Sequence, residues 1–217
     1  MKILAVDTAL GGCSAALLED GKILAHSFEA MDRGHAERLA PMVEETMRGF
    51  DFAALDRLAV TTGPGTFTGQ RVGLAFMRGL RLALKLPLTG VTTLEVIAAA
   101  AMDETKTTKA AVIHDARREE AYLLLQDGKD TVQQPVVILF ADAITRIRAF
   151  GPCALAGTGA AMAKDSLGAD FVLSSIRQPD ALWVARLAQK HEPSNDAPGP
   201  LYLRAPDAKL PGGKVLV

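Results

Sequence analysis

Aromatic residues are scarce in this chain: one Trp, two Tyr and eight Phe among 217 residues, 5% in all. The core must therefore be built mostly from Ala, Leu and Val, and an apolar share of 49% is ample for a compact globular fold. Cysteine is scarcer still. Cys13 and Cys153 stand alone, which excludes a disulfide framework and a cysteine-held metal. Long hydrophobic runs are missing too, since Val96 to Met102 and Val136 to Ala141 fall well short of the roughly 20 residues that span a bilayer. Asp7 interrupts the apolar start Ile3 to Val6 before it reaches the length of a secretory leader. A cytoplasmic protein with no membrane partner is expected. There is no excess of either charge: the net charge is −1, so no broad basic field exists to hold a nucleic acid by counterion release. If RNA is involved, another chain carries most of the contact.

What is present centres on Gly63-Pro64-Gly65-Thr66-Phe67-Thr68-Gly69-Gln70-Arg71-Val72-Gly73. It follows the β-prone run Leu55 to Thr62 and opens a helix expected from about Gln70 to Leu84, which stops before Pro87. Glycine lets a backbone pass close to a neighbour, and a helix start attracts anions. Two readings stand: a ligand cradle, or a tight turn whose glycines serve packing alone. A phosphate-binding P-loop is excluded, because Gly65 and Gly69 have three residues between them and Gln70-Arg71 follow. A dinucleotide-binding turn fits no better.

Taken in order, Lys2 to Val6, Cys13 to Leu18 and Lys22 to Phe28 read as strands, with Asp20-Gly21 as a hairpin turn. Ala36, Leu39, Ala40, Val43 and Met47 recur at helical spacing, so Arg33 to Arg48 should be an amphipathic helix. On the helix after the glycine turn, Ala75, Gly79 and Ala83 form a stripe of small residues beside Arg71, Arg78 and Arg81. A mid-helix glycine costs about 1 kcal/mol relative to alanine, so close packing against another helix, in this chain or a second one, is its return. Pro87 to Thr92 reads as a strand, Leu94 to Met102 as a helix and Asp103 to Lys109 as a junction.

The pattern then returns. Ala110 to His114 ends at Asp115 as Lys2 to Val6 ends at Asp7. Ala121 to Gln126 and Val136 to Leu139 are strands, Asp127-Gly128 a turn, Ala141 to Phe150 a helix, and Ala154 to Ala156 leads into Gly157-Thr158-Gly159 and another helix. Asp115 follows Asp7 by 108 residues and Asp127 follows Asp20 by 107, the mark of two related halves. We divide them at 1–103 and 104–217. A helix over Ala181 to Lys190 follows, then a short strand Leu201 to Arg204 among Pro193, Pro198, Pro200, Pro206 and Pro211. Asp7 and Asp115 would face one another across a cleft between the halves, unless each only caps its own turn. Ala116-Arg117-Arg118-Glu119-Glu120 stands where a phosphate loop needs glycine, so ATP binding should be weak or absent, although Arg117 can still pair with an anion. His35 is followed four residues on by Leu39, so no two-histidine metal face exists. No nucleophile elbow is present, and no catalytic residue is assigned.

Five segments resemble the bacterial TsaB (YeaZ) family: Ile3-Leu4-Ala5-Val6-Asp7-Thr8-Ala9, His35-Ala36-Glu37-Arg38-Leu39, the glycine turn, Asp115-Ala116-Arg117-Arg118-Glu119-Glu120-Ala121-Tyr122 and Tyr202-Leu203-Arg204. The resemblance implies an α/β, actin-like/Hsp70-like ATPase (ASKHA) fold of two duplicated subdomains. It implies a non-catalytic subunit that works with a TsaD-like catalytic paralogue and a TsaE-like ATPase to place threonylcarbamoyl on N6 of the tRNA adenosine beside the anticodon. TsaD-like proteins carry His-x-x-x-His on the first helix, where this chain has His35 and Leu39. The family uses its first two helices to dimerise or to dock TsaD, which assigns Leu39, Val43, Met47, Ala75, Arg78, Gly79 and Ala83 to a partner interface. Asp7, Gly65, Asp115 and Arg117 would line a vestigial ATP/ADP cleft, with no cofactor or metal of the chain's own, a homodimer when alone, and tRNA met only through the complex. His114 departs from the aliphatic residue usual before that Asp. The alternative is an independent ATP-dependent transferase or metallopeptidase of the same fold.

Overall fold

Successive residues of a strand point to opposite sides of its sheet, and in β1 (Lys2–Asp7) both sides are apolar. Leu4 and Val6 enter one buried cluster, Ile3 and Ala5 another. Burial on two sides requires helices above and below. The computed structural model, which describes residues 1–192 and 196–204, has that layering. Pro193, Pro206 and Pro211 of the expected proline-rich tail lie outside the described residues.

β2 (Gly12–Glu19), β3 (Lys22–Ala30), β4 (Arg57–Thr61) and β5 (Leu88–Val91) join β1 in the order β3-β2-β1-β4-β5. The first three strands are antiparallel, and β4 and β5 run parallel to β1. The second sheet holds β6 (Lys109–Asp115), β7 (Glu120–Asp127), β8 (Asp130–Leu139), β9 (Ala154–Ala156) and β10 (Val172–Leu173) in the order β10-β9-β6-β7-β8. Read from its other edge it is the same topology with the same strand directions. Two duplicated α/β lobes of this topology are the actin-like architecture expected from the sequence.

Helices α1 (His35–Thr46) and α2 (Phe67–Leu84) cover the Leu4 and Val6 side of the first sheet. α3 (Thr93–Thr105) lies on the second sheet, where Leu94, Ile97 and Ala101 meet Ala110, Val112 and Leu124. α4 (Phe140–Phe150) and α5 (Ala160–Leu167) cover that sheet's other face. α6 (Ala181–Ala188) returns to the first sheet, packing Ala181, Val184 and Ala188 on Ile3, Ala5 and Ala59. The division after residue 103 falls within α3, and the late helix α6 lies on the early sheet.

Some local expectations need correction. α2 begins three residues before Gln70, because the Thr66 side chain accepts from the Gly69 N–H at 3.1 Å and caps the helix there. Leu201 to Arg204 is not a strand; among the described residues its backbone makes one ladder-like bond, Leu201 N–H to the Thr62 carbonyl at 2.7 Å. α3 runs on to Thr105, into the expected junction. Asp127 pairs with Asp130, so the second hairpin turns at Gly128-Lys129, one residue later than expected. The first turns at Asp20-Gly21, both at positive φ (49° and 81°), as a two-residue hairpin requires.

Candidate functional site

The glycine turn between β4 and α2 lies against the connection that follows β1. A Cβ on Gly65 would stand 2.2 Å from the Ala9 carbonyl oxygen, one on Gly69 2.1 Å from that of Thr8, and one on Gly73 2.7 Å from Thr8 Oγ1. The Thr8 hydroxyl donates to the Gly69 carbonyl at 2.7 Å, and the Thr66 N–H to the Ala9 carbonyl at 2.8 Å. Of the two readings of these glycines, packing is the one the geometry supports. They admit the backbone of Thr8 and Ala9 on the side where a Cβ would stand.

The two strand-end aspartates have separate fates. Asp7 is fully buried, its Oδ1 accepting from Thr61 Oγ1 at 2.5 Å and from the Ala9 N–H at 3.2 Å, while Oδ2 has no partner. Burial pushes its pKa up to about 7, against the downward pull of those two hydrogen bonds. Asp7 is therefore sealed and does not line the cleft that Asp115 lines. Asp115 is exposed at the end of β6, and its Oδ1 accepts from the Arg117 N–H at 2.7 Å, capping its own turn.

A cleft of about 730 Å³ lies between the lobes, lined by Gly65 and Phe67 from one and by His114, Asp115 and Arg117 from the other. His114 is buried with its Nδ1 unpartnered, and burial lowers its pKa to about 4, Asp115 opposing the shift, so it is neutral at pH 7. The β6–β7 turn carries an unusual backbone: Arg117, Arg118 and Glu119 stand at φ 64°, 54° and 62°, three consecutive non-glycine residues in the left-handed region. Each costs about 1–2 kcal/mol, so the surroundings must hold the run in place. With Asp7 sealed and bulky side chains on the second loop, these residues do not fit a metal-bound nucleotide. Among the described residues no cluster of three His, Cys, Asp or Glu side chains is placed to hold a metal ion, and no helix is long and apolar enough to cross a membrane.

The residues assigned to a partner interface divide. Leu39, Val43 and Met47 are 1%, 2% and 3% exposed, because the apolar face of α1 packs on its own sheet. Those three are corrected to core. Ala75, Gly79 and Ala83 are exposed, and a Cβ on Gly79 would meet nothing within 4 Å. Arg78 is committed elsewhere, its Nε and Nη2 donating to the Pro198 carbonyl at 3.1 and 2.6 Å. The stripe is also longer than expected. Phe67 and Arg71, two steps and one step of four before Ala75, are exposed, and Leu82 beside Ala83 is 74% exposed. Arg71 lies 3.5 Å over the Phe67 ring and donates from Nε to the Tyr202 hydroxyl at 2.8 Å. The sequence places Phe67 in the glycine turn; a helix beginning at Phe67, capped by Thr66, puts it on the stripe.

Residues 22–177 match the family model for TsaD, tRNA N6-adenosine threonylcarbamoyltransferase. The Escherichia coli (strain K12) tRNA threonylcarbamoyladenosine biosynthesis protein TsaB is 42% identical over 124 residues, 56% of this chain and 53% of that protein. The chain thus spans about half the length of that relative in the match. The Haemophilus influenzae protein of the same name is 31% identical over 241 aligned residues that cover 98% of both chains. Among solved structures, YeaZ from Pseudomonas aeruginosa superposes with a TM-score of 0.74 at 28% identity, covering 88% of this chain and 92% of that one. The crystal structure of an uncharacterized protein with similarity to peptidase YeaZ from Pseudomonas aeruginosa gives a TM-score of 0.80 at 30% identity, covering 94% and 99%.

Proposed function

This chain belongs to the TsaB (YeaZ) family, and from that premise we propose that it is the non-catalytic scaffold of a tRNA threonylcarbamoyladenosine system. In this reading it docks a TsaD-like catalytic paralogue through the outer face of α2, and a TsaE-like ATPase completes the cytoplasmic assembly. Threonylcarbamoyl is transferred to N6 of the adenosine beside the anticodon on the TsaD-like subunit, and the tRNA reaches this chain only through the complex. Alone, the chain forms a homodimer. It carries no cofactor of its own, and the affinity of its cleft for nucleotide is weak.

The observation that carries this reading is the exposed stripe of Phe67, Arg71, Ala75, Gly79 and Ala83 on α2, in a chain that shares 31% identity with a TsaB protein over 98% of its length. Small residues allow close approach of a second helix, and exposed Phe, Tyr and Arg are the types enriched at interface centres. The sealed Asp7 and the bulky side chains of the second loop support the non-catalytic part. Size-exclusion chromatography with light scattering, on the chain alone and mixed with the TsaD-like protein of the same cell, tests it. A one-to-one complex is expected; separate elution with and without nucleotide would overturn the partner assignment.

A further inference from the structure

We propose that residues 198–204 form a strap that couples the outer face of α2 to the β6–β7 turn, holding that turn left-handed and Arg117 in the cleft. The strap is anchored along its length. The Pro198 carbonyl accepts from Arg78, and the Pro198 ring lies where Gly90 leaves room, a Cβ there standing 2.6 Å from Pro198 Cβ. The Leu201 N–H donates to the Thr62 carbonyl at 2.7 Å. The Tyr202 ring stacks on Phe67 with centroids 5.9 Å apart, and its hydroxyl accepts from Arg71 at 2.8 Å. These anchors belong to the first lobe.

The last anchor crosses to the second lobe. Arg204 donates from Nη1 to the Ala116 carbonyl at 3.0 Å and pairs through Nη2 with the Glu120 carboxylate. Ala116 and Glu120 are the residues that bracket the left-handed run Arg117-Arg118-Glu119. The backbone closes the turn from within, by Ala116 N–H to Glu120 carbonyl at 2.9 Å and Glu120 N–H to Arg117 carbonyl at 3.0 Å. The planar guanidinium grips both ends from outside, a two-pronged geometry that fixes position as well as charge. A run of side-chain-bearing residues at positive φ relaxes toward negative φ when such ties are lost, so the turn is the two-state element on which a coupling between separate sites depends. Anything that displaces Tyr202 from Phe67 and Arg71 withdraws Arg204 as well, and frees Arg117 from its place in the cleft.

The coupling is a property of the chain alone and does not depend on the partner assignment. Amide hydrogen exchange on the full chain tests it. Arg204→Ala and Tyr202→Ala should each speed exchange at Ala116 and Glu120 about tenfold or more, with the central-strand amides of Leu4 and Ala5 unchanged as the sign of an intact fold. In a Glu119→Gly background, where glycine accepts positive φ freely, the effect of Arg204→Ala should shrink. Arg204→Lys keeps the charge without the two-pronged grip, and gives the same readout with less risk to folding. Unchanged exchange at Glu120 in Arg204→Ala would remove the clasp. If Tyr202→Ala frees Leu201 but leaves Glu120 protected, the strap's ends act independently and the coupling is wrong. An undiminished effect in the glycine background would show that the tie works on something other than the left-handed run.

Discussion

His35 and Leu39 stand one helical step apart at the start of α1, and they are held by unrelated interactions. The His35 imidazole is buried and donates from Nε2 to the Leu10 carbonyl at 3.1 Å, while Leu39 is 1% exposed in the core of the first lobe. Restoring a second histidine at position 39 therefore cannot recreate a metal pair, since one imidazole is tied to the backbone and the other would sit in an apolar cluster. Leu39→His should bind no zinc in a dialysis assay and should destabilise the fold by about 3 kcal/mol or more, through lost apolar burial and an unpaired polar ring. Zinc retention by a stably folded variant would show that this end of α1 is a damaged metal site after all.

The glycine turn makes a contrasting prediction about backbone approach. Gly65→Ala drives a Cβ against the Ala9 carbonyl, a rigid backbone atom that cannot turn away, so the β1–β2 connection or the start of α2 must shift. A loss of about 1–3 kcal/mol in denaturant unfolding is expected, typical of an overpacked interior. A Gly65→Ala chain as stable as the parent would mean that Thr8 and Ala9 do not press on the turn, and the ligand-cradle reading would be open again.

Much of the architecture was legible in the residues, because it rests on local signals. Short continuous apolar runs mark β1, β2, β6 and β7, Asp20-Gly21 marks a hairpin, and the return of that pattern after Lys109 marks the second lobe. The apolar stripe Leu39, Val43 and Met47 shows which face of α1 is buried but not what buries it: a partner and the chain's own sheet leave the same pattern, and the sheet covers it. The left-handed run Arg117-Arg118-Glu119 has no sequence signature, since its residue types rarely take positive φ and only tertiary ties keep them there. Tyr202 and Arg204 are likewise readable only once Phe67, Arg71 and Glu120 have been brought beside them from more than 80 residues away.

Gly79 separates the proposed partner face from the fold. Its missing Cβ faces open space, so Gly79→Leu leaves the monomer intact and improves helix propensity by up to about 1 kcal/mol. The thermal midpoint should be equal or higher, while association with the TsaD-like protein, followed by light scattering or calorimetry, should weaken at least about tenfold because the two helices can no longer approach. Unchanged affinity in this variant would take the stripe out of the interface and leave the scaffold reading without its docking face.

Asp7 should leave its mark on the pH dependence of stability. Its pKa is raised by burial to about 7 in the folded chain, from an ordinary value of 3.8, so between about pH 4 and pH 7 the folded state holds a proton that the unfolded state has released. Stability must then fall as pH rises through that window and level off above it, the reverse of the behaviour of a salt-bridged carboxylate. Asp7→Asn keeps the shape and the acceptor that Thr61 and Ala9 use, but cannot ionise. The difference in unfolding free energy between Asp7→Asn and the parent should therefore shift in favour of the variant from pH 4 to pH 7, by as much as about 4 kcal/mol for a fully buried group. A difference independent of pH across this range would mean that Asp7 ionises as freely in the folded chain as in water, and the sealed carboxyl that separates this chain from a metal-nucleotide site would have to be given up.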